Sequence, residues 1–255
     1  MSDSTPDITP HEGKLLVLTP GLGAVSTTFI AGVEAIRRGH AKPIGSLSQM
    51  QTIRLGRRSE HRSPLIKDFV DLAPLEDLEF GAWDVFEDDA YEAAARAEVL
   101  DQDDLAPLED FLHSIEPMSA VFSKEYVKRL DGPNVKQGAT KKDLAEALRE
   151  DIRRRKEETG ADRAVMIWCG STEIYMKPSE CHLSIEKFEE GMENNDPSIS
   201  PSQLYAYAAI KEGVAYANGA PNLSADIPAL EQLAEENDVP IAGKDFKTGQ
   251  TLMKT

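Results

Sequence analysis

The fold is decided by one stretch, "KLLVLTPGLGAVSTTFIAGVEAIRRGH", Lys14 to His40. "KLLVLT", Lys14 to Thr19, is a continuous apolar run of strand length. A glycine-rich turn follows at once and leads into a segment with Phe29, Ile30, Val33 and Ile36 at helical spacing, with Gly39 suited to close it. Strand, glycine turn and helix in that order suit a nucleotide-binding crossover unit. Within the turn, Gly21-Leu22-Gly23-Ala24-Val25-Ser26 carries a dinucleotide fingerprint with Ser26 in place of the third glycine. Gly21 permits a tight turn, Gly23 lets backbone approach a pyrophosphate, and the helix N-terminus supplies amides and a positive dipole end. The hydroxyls of Ser26 and Thr27 are expected as additional donors. A glycine turn after a strand also has a purely structural reading, and only the flanking strand and helix lift the pattern above it.

Outward from this unit the chain keeps alternating. Residues 41–73 read as a long polar and basic excursion. "LEFGAWDVF", Leu78 to Phe86, is a strand signal that breaks at Gly81, and two acidic helical segments follow, Asp89 to Glu98 and Asp103 to His113. Thr140 is placed to cap a helix with Leu144, Leu148 and Ile152 four apart, ended by Gly160. "RAVMIWC" is a buried-strand candidate, "SPSQLYAYAAIKEG" a helix, and "VAYAN" a strand. "IPALEQLAEEN" reads as a helix capped by Asp226, and "VPIAG" as a last strand. Strands alternating with helices imply crossover connections and a mostly parallel sheet, an α/β Rossmann-like fold with helices on both faces. Ligands on such sheets bind at the carboxyl ends of the strands, so the residues after each strand are the informative ones.

Composition narrows the function classes. Among 255 residues, 45 acidic against 28 basic side chains leave a net charge of −17, which repels phosphate backbones and anionic membrane surfaces. The expectation is no nucleic-acid partner and no membrane partner. Two cysteines in so long a chain indicate no disulfide framework and a reducing, cytoplasmic setting. No apolar run reaches the ~20 residues of a membrane span, and residues 1–13 read as a flexible polar arm.

At the other strand ends the signals differ in weight. No acid lies in "AKPIGSLSQMQ", positions 41 to 51, where a ribose-binding carboxylate is expected. Asp84, closing the second strand signal, is either that carboxylate or a solvated loop acid. Cys169-Gly170-Ser171-Thr172 form a lip of small and hydroxyl residues that a ring can approach. Cys169 has no base near it in sequence, and buried strand cysteines are commonly inert. Asn218-Gly219 is a turn signal with an equally good structural reading. Lys244, Asp245, Lys247 and Lys254 crowd the final loop, either as solvating charge or as an anion site.

Taken together, "GLGAVSTTFIAGV", "KPIGSLSQMQTIRLG", "FGAWDVF", "MIWCGSTE", "YAYAAIKEGVAYANGAPN" and "GKDFKTGQT" resemble the inositol-3-phosphate synthase family, also called myo-inositol-1-phosphate synthase, in order from Gly13 onward. The resemblance implies an NAD-binding Rossmann domain, residues 14–243, leading into a catalytic and oligomerisation domain that begins at 244–255 and is otherwise absent. It implies conversion of D-glucose 6-phosphate to 1D-myo-inositol 3-phosphate: NAD oxidises C5, the enolate closes on C1 in an aldol step, and the NADH formed reduces the ketone. It also implies a homotetrameric parent. A divalent metal or monovalent cation is admitted as a further cofactor, with no metal-ligand spacing in the chain to assign one. Residue by residue, it implies cofactor contacts from Gly21, Gly23, Ala24, Val25, Ser26 and Thr27, from Asp84, from Cys169, Gly170, Ser171 and Thr172, and from Gly219, Ala220 and Asp245. The catalytic edge falls on Asp245, Lys247 and Lys254. The departures are an Ala24-Val25-Ser26 loop where many members have Gly-Asn-Asn, "CGST" without an asparagine, and Lys244 in place of an acid. Two expectations follow: a synthase whose catalytic part continues past Thr255, so that this chain alone turns over slowly or not at all, or an NAD-binding module without chemistry. An ordinary dehydrogenase is disfavoured, because no His or Lys/Tyr catalytic arrangement follows the strand signals.

Overall fold

The computed structural model describes residues 12–246. Strand β1, Lys14–Pro20, runs through the glycine turn into α1, Ala24–Arg37. Gly39, at φ +74°, follows the cap and takes the left-handed conformation expected of it. The excursion holds two single-turn helices, α2 (Leu47–Met50) and α3 (Ile66–Phe69), tied by an antiparallel bridge between Thr52 and Leu65.

Strand β2, Leu78–Asp84, passes through Gly81 without a break. The glycine is there for space: a Cβ would stand 3.0 Å from the Leu18 side chain and 3.3 Å from Arg155 Nε. Helices α4 (Ala90–Ala97), α5 (Gln102–Leu105) and α6 (Glu109–His113) follow, the second acidic segment being broken by a 3-10 turn containing Pro107. Strand β3 is two residues, Met118–Ser119, too short to carry a sequence pattern.

Helix α7, Lys141–Thr159, begins at Thr140 with a reciprocal capping box to Asp143 and ends at left-handed Gly160. Then come β4 (Ala161–Trp168), α8 (Ile185–Glu193), α9 (Pro201–Lys211), β5 (Ala215–Asn218), α10 (Pro228–Asn237) and β6 (Ile241–Ala242). Asp226 does not cap α10. Ile227 holds that position, and the Asp226 carboxylate instead accepts from Ser224 N and pairs with Lys244 Nζ at 2.7 Å.

All named strand pairs are parallel, in the order β3-β2-β1-β4-β5-β6. The chain leaves β1 toward β2 and β3 on one side, then returns to lay β4 on the other side, so the order reverses between β1 and β4. Alternating side chains feed two cores. Val17, Phe80 and Ala82 pack with α1 and α4–α6, while Leu16, Leu18, Trp83, Met166 and Trp168 pack with α7–α10. Helices therefore cover both faces, and the crevice at the reversal is left open for ligand. Among the described residues no helix is long and apolar enough to cross a membrane.

Candidate functional site

At that crevice lies a cavity of about 360 Å³, within the range of small-molecule sites. Its floor is the end of β1 with Gly21, Leu22, Gly23 and Ala24. One wall comes from the β2 and β3 ends (Asp84, Phe86, Val121, Phe122), the other from the β4 end (Trp168, Cys169, Gly170, Ser171, Glu173).

The glycine loop is shaped by two different requirements. Gly21 has φ +94°, and a Cβ on it would fall 2.5 Å from Gly170 Cα and 2.7 Å from Gly170 N. The loop after β1 therefore rests directly on the lip after β4, and only hydrogen fits between them. Gly23 is extended (φ −94°, ψ −159°), and a Cβ there would meet nothing within 4 Å. Its missing side chain leaves room in the crevice rather than relieving contact. Helix α1 then starts with no side-chain cap and no acid in its first turn. A helix of 14 residues thus presents uncapped amides and its positive end to the cavity floor, an arrangement suited to an anion.

The hydroxyls expected as donors are used inside the loop. Ser26 and Thr27 are buried, and their hydroxyls donate to the carbonyls of Gly21 (2.5 Å) and Gly23 (3.0 Å). Their geometry braces the turn from beneath and offers no free hydroxyl to a guest. Val25, half exposed, lines no part of the cavity.

Asp84 both lines the cavity and holds the loop. Its Oδ2 accepts from Leu22 N at 2.7 Å and its Oδ1 from Phe86 N at 3.1 Å. Each oxygen keeps a lone pair for a ligand hydroxyl. The Leu22 amide, between the two glycines, is consequently spoken for, and the loop donors left for an anion start at Gly23.

On the β4 side, Cys169 sits among buried groups. Burial pushes its thiol above the ordinary range, with the Ser26 hydroxyl acting in the opposite sense. That suppresses the thiolate, consistent with an inert strand-end cysteine. Gly170 packs under the Trp168 ring, where a Cβ would lie 2.9 Å from the indole. The Trp168 Nε1–H is buried without a partner, an orphan donor on the cavity wall. Ser171 lines the cavity, whereas Thr172 is exposed beyond it.

Glu173 was not anticipated from the sequence. It is 4% exposed, faces the cavity wall, and accepts from Ser202 N (2.9 Å), Ser202 Oγ (2.5 Å) and Asn222 Nδ2 (3.2 Å). Burial pushes its carboxyl above the usual range; the Ser202 hydroxyl and amide pull the other way. The signal was present only as a lone Glu after a small-residue lip, and its partners lie 29 and 49 residues away. Arg96 also escaped notice. Among the described residues it is the one cation lining the cavity; its guanidinium lies 5.2 Å from the Phe86 ring centroid and is ion-paired with Asp88.

The remaining expected residues stand apart from the cavity. Gly219 packs against the Phe246 ring, Ala220 is buried with its amide on Asn218 Oδ1, and Asp245 is exposed with its amide on Asn218 O. Lys247 and Lys254 lie outside the described residues. Among the described residues no cluster of three or more His, Cys, Asp or Glu side chains is arranged to hold a metal.

The residues present fit a dinucleotide. The cavity opens on both sides of an anion-receptive floor, with the Asp84 carboxylate on the β2 side and the Trp168 ring and the Cys169–Ser171 lip on the β4 side. The NAD-binding family model described as myo-inositol-1-phosphate synthase matches residues 15–252. An inositol-3-phosphate synthase 1 from Bacteroides thetaiotaomicron is 49% identical over 98% of this chain and 58% of its own length. One from Oryza sativa is 34% identical over 95% and 50% respectively. Among solved structures, the inositol-3-phosphate synthase of Caenorhabditis elegans superposes with a TM-score of 0.87 at 28% identity, over 95% of this chain and 51% of that one. The chain thus spans about half the length of the relatives it matches.

Proposed function

Because this chain belongs to the myo-inositol-1-phosphate synthase family, we propose that its crevice holds NAD and that the protein takes part in converting D-glucose 6-phosphate to 1D-myo-inositol 3-phosphate. The observation that carries the reading is the uncapped, acid-free start of α1 beneath a loop in which Gly23 leaves open space. When bound, the cofactor would accept a hydride from the sugar and return it, which makes the reaction redox-neutral and favours a site that retains the dinucleotide.

This chain's residues do the holding. The Gly23 amide and the first turn of α1 receive the pyrophosphate, while Ser26 and Thr27 keep the turn rigid by bonding its carbonyls. Asp84, fixed by two backbone amides, presents its free lone pairs to a ribose diol. The Cys169–Ser171 lip lets the nicotinamide half approach backbone, with the Trp168 ring packed against it. Residues 14–243 make up this cofactor part. Asp245, with Lys247 and Lys254, belongs to the edge that meets the sugar phosphate, where ammonium groups would stabilise developing oxyanions. Gly219 and Ala220 act by allowing Phe246 to pack at the β5 end. The parent enzyme is proposed to be an oligomer of identical chains.

The test is direct. Titrate the purified chain with NAD, following intrinsic tryptophan fluorescence, then add glucose 6-phosphate and measure inositol phosphate by chromatography. Saturable binding with a 1:1 stoichiometry supports the cofactor reading, and product supports the reaction. Failure to bind NAD up to millimolar concentration would refute the reading.

A further inference from the structure

The carboxylate of Glu173 has no part in the cofactor scheme so far, yet it is the most thoroughly bonded acid on the cavity wall. Its three donors come from two places: the start of α9, through the Ser202 amide and hydroxyl, and the turn after β5, through Asn222. The Ser202 amide can only donate, to Oε1, and the Asn222 side-chain amide donates to Oε2, so each oxygen accepts an N–H bond; with the Ser202 hydroxyl these donors favour the ionised carboxylate against the burial that opposes it. Of the other charged side chains lining the cavity, Asp84, Asp88 and Arg96 belong to the β2 side, and Arg96 is already paired with Asp88. On the β4 side Glu173 stands as the charged wall residue among the described residues. The Lys141 ammonium acts on it electrostatically but is committed to the carbonyls of Asp196 and Ile199.

In a doubly wound sheet the half containing the glycine loop takes the adenosine mononucleotide, and the half beginning at β4 takes the other. On the NAD reading, which this inference rests on, the nicotinamide ring therefore faces the wall that holds Glu173. That ring is cationic when oxidised and neutral when reduced. A fixed anion in a water-poor wall distinguishes the two forms electrostatically, and its three donors keep it from moving to solvent.

We propose that Glu173 is a tuning residue: its buried negative charge makes the site bind the oxidised, cationic cofactor in preference to the reduced one. The same carboxylate positions the lip, since it joins the end of β4 to α9 and to the β5 turn. For a reaction that must hand its hydride back, such a bias keeps the reduced cofactor from becoming a resting state.

The experiment compares dissociation constants for NAD and NADH, measured separately by calorimetry, in wild type, Glu173→Gln, Glu173→Asp and Ser202→Ala. Glu173→Gln removes the charge and keeps the shape; Ser202→Ala weakens the clamp and keeps the charge. The expected result is that Glu173→Gln weakens NAD about tenfold more than NADH, the order a single charge exerts across ~10 Å at an effective dielectric near 20. That ratio corresponds to about 30 mV for a two-electron couple. Glu173→Asp and Ser202→Ala should leave the ratio within about twofold of wild type, even where both affinities fall. Equal weakening of NAD and NADH in Glu173→Gln, or none, would overturn the proposal and leave a structural clamp. Should Glu173→Gln not fold, wild type decides: a tenfold or greater preference for NADH overturns it, and a preference for NAD supports it. If wild type binds neither form, the NAD reading itself fails, an outcome separate from a failure at Glu173.

Discussion

Two glycines two residues apart, Gly21 and Gly23, should answer the same substitution in opposite ways. At Gly21 an alanine must adopt φ +94° and place its methyl 2.5 Å from Gly170 Cα and 2.9 Å from Cys169 C, all backbone atoms that cannot swing aside. The left-handed conformation costs about 1–2 kcal/mol and the overpacking about 1–3 kcal/mol. Gly21→Ala should therefore lose about 2–5 kcal/mol, lowering the melting temperature by roughly 5–15 °C for a chain of this size. At Gly23 the backbone is already extended and the methyl meets nothing within 4 Å, so Gly23→Ala should change stability by less than about 1 kcal/mol. Its methyl would instead occupy the space left for a pyrophosphate, weakening NAD at least tenfold. Urea denaturation and NAD titration on both variants make the assay. Normal NAD affinity in Gly23→Ala would refute the assignment of the loop as the phosphate cradle. Wild-type stability in Gly21→Ala would refute the packing of loop on lip.

Three further predictions follow from buried groups. Asp151 is 3% exposed and bonds Trp83 Nε1 (2.8 Å), Lys136 Nζ (2.7 Å) and Arg154 Nη2 (2.7 Å), so Asp151→Ala should cost about 3–5 kcal/mol; a loss under 1 kcal/mol in urea unfolding would show the network to be dispensable. His182 accepts from Ser179 N through Nδ1 at 2.8 Å, and burial holds its pKa below 6.5. Because the unfolded chain takes up that proton first, stability present above pH 6.5 should fall as pH drops through the depressed folded value. His182→Gln should flatten this slope between pH 7.5 and 5, and an unchanged slope would exclude His182 as its origin. Cys169, with its thiol pushed up by burial, should react with iodoacetamide at pH 7.5 far more slowly than in urea-unfolded chain, and equal rates in the two states would contradict its burial.

Much of the scaffold was legible because its signals are local. The apolar run at Lys14, the Thr140–Asp143 capping box and the left-handed Gly160 are each read within four residues of chain, the reach of one helical turn. The misreadings have local causes too. Gly81 resembles a strand break until the Leu18 and Arg155 side chains that need its space are seen, and Asp226 resembles a cap until Lys244 and Ser224 claim it. The two-residue β3 carries no sequence signal, because two residues show no period.

The sequence by itself determined the strand-helix alternation, the glycine loop, the acidic balance and, through ordered motifs, the family. Only the tertiary structure decided which motif residues meet. It joined Leu22 to Asp84 across 62 residues, set Gly21 on Gly170, turned the Ser26 and Thr27 hydroxyls inward and walled the cavity with Glu173. The physical reason is one of range. Backbone propensity and capping act within a turn of chain, whereas a binding site is made where separate strand ends converge, and convergence depends on how the two cores pack against the sheet.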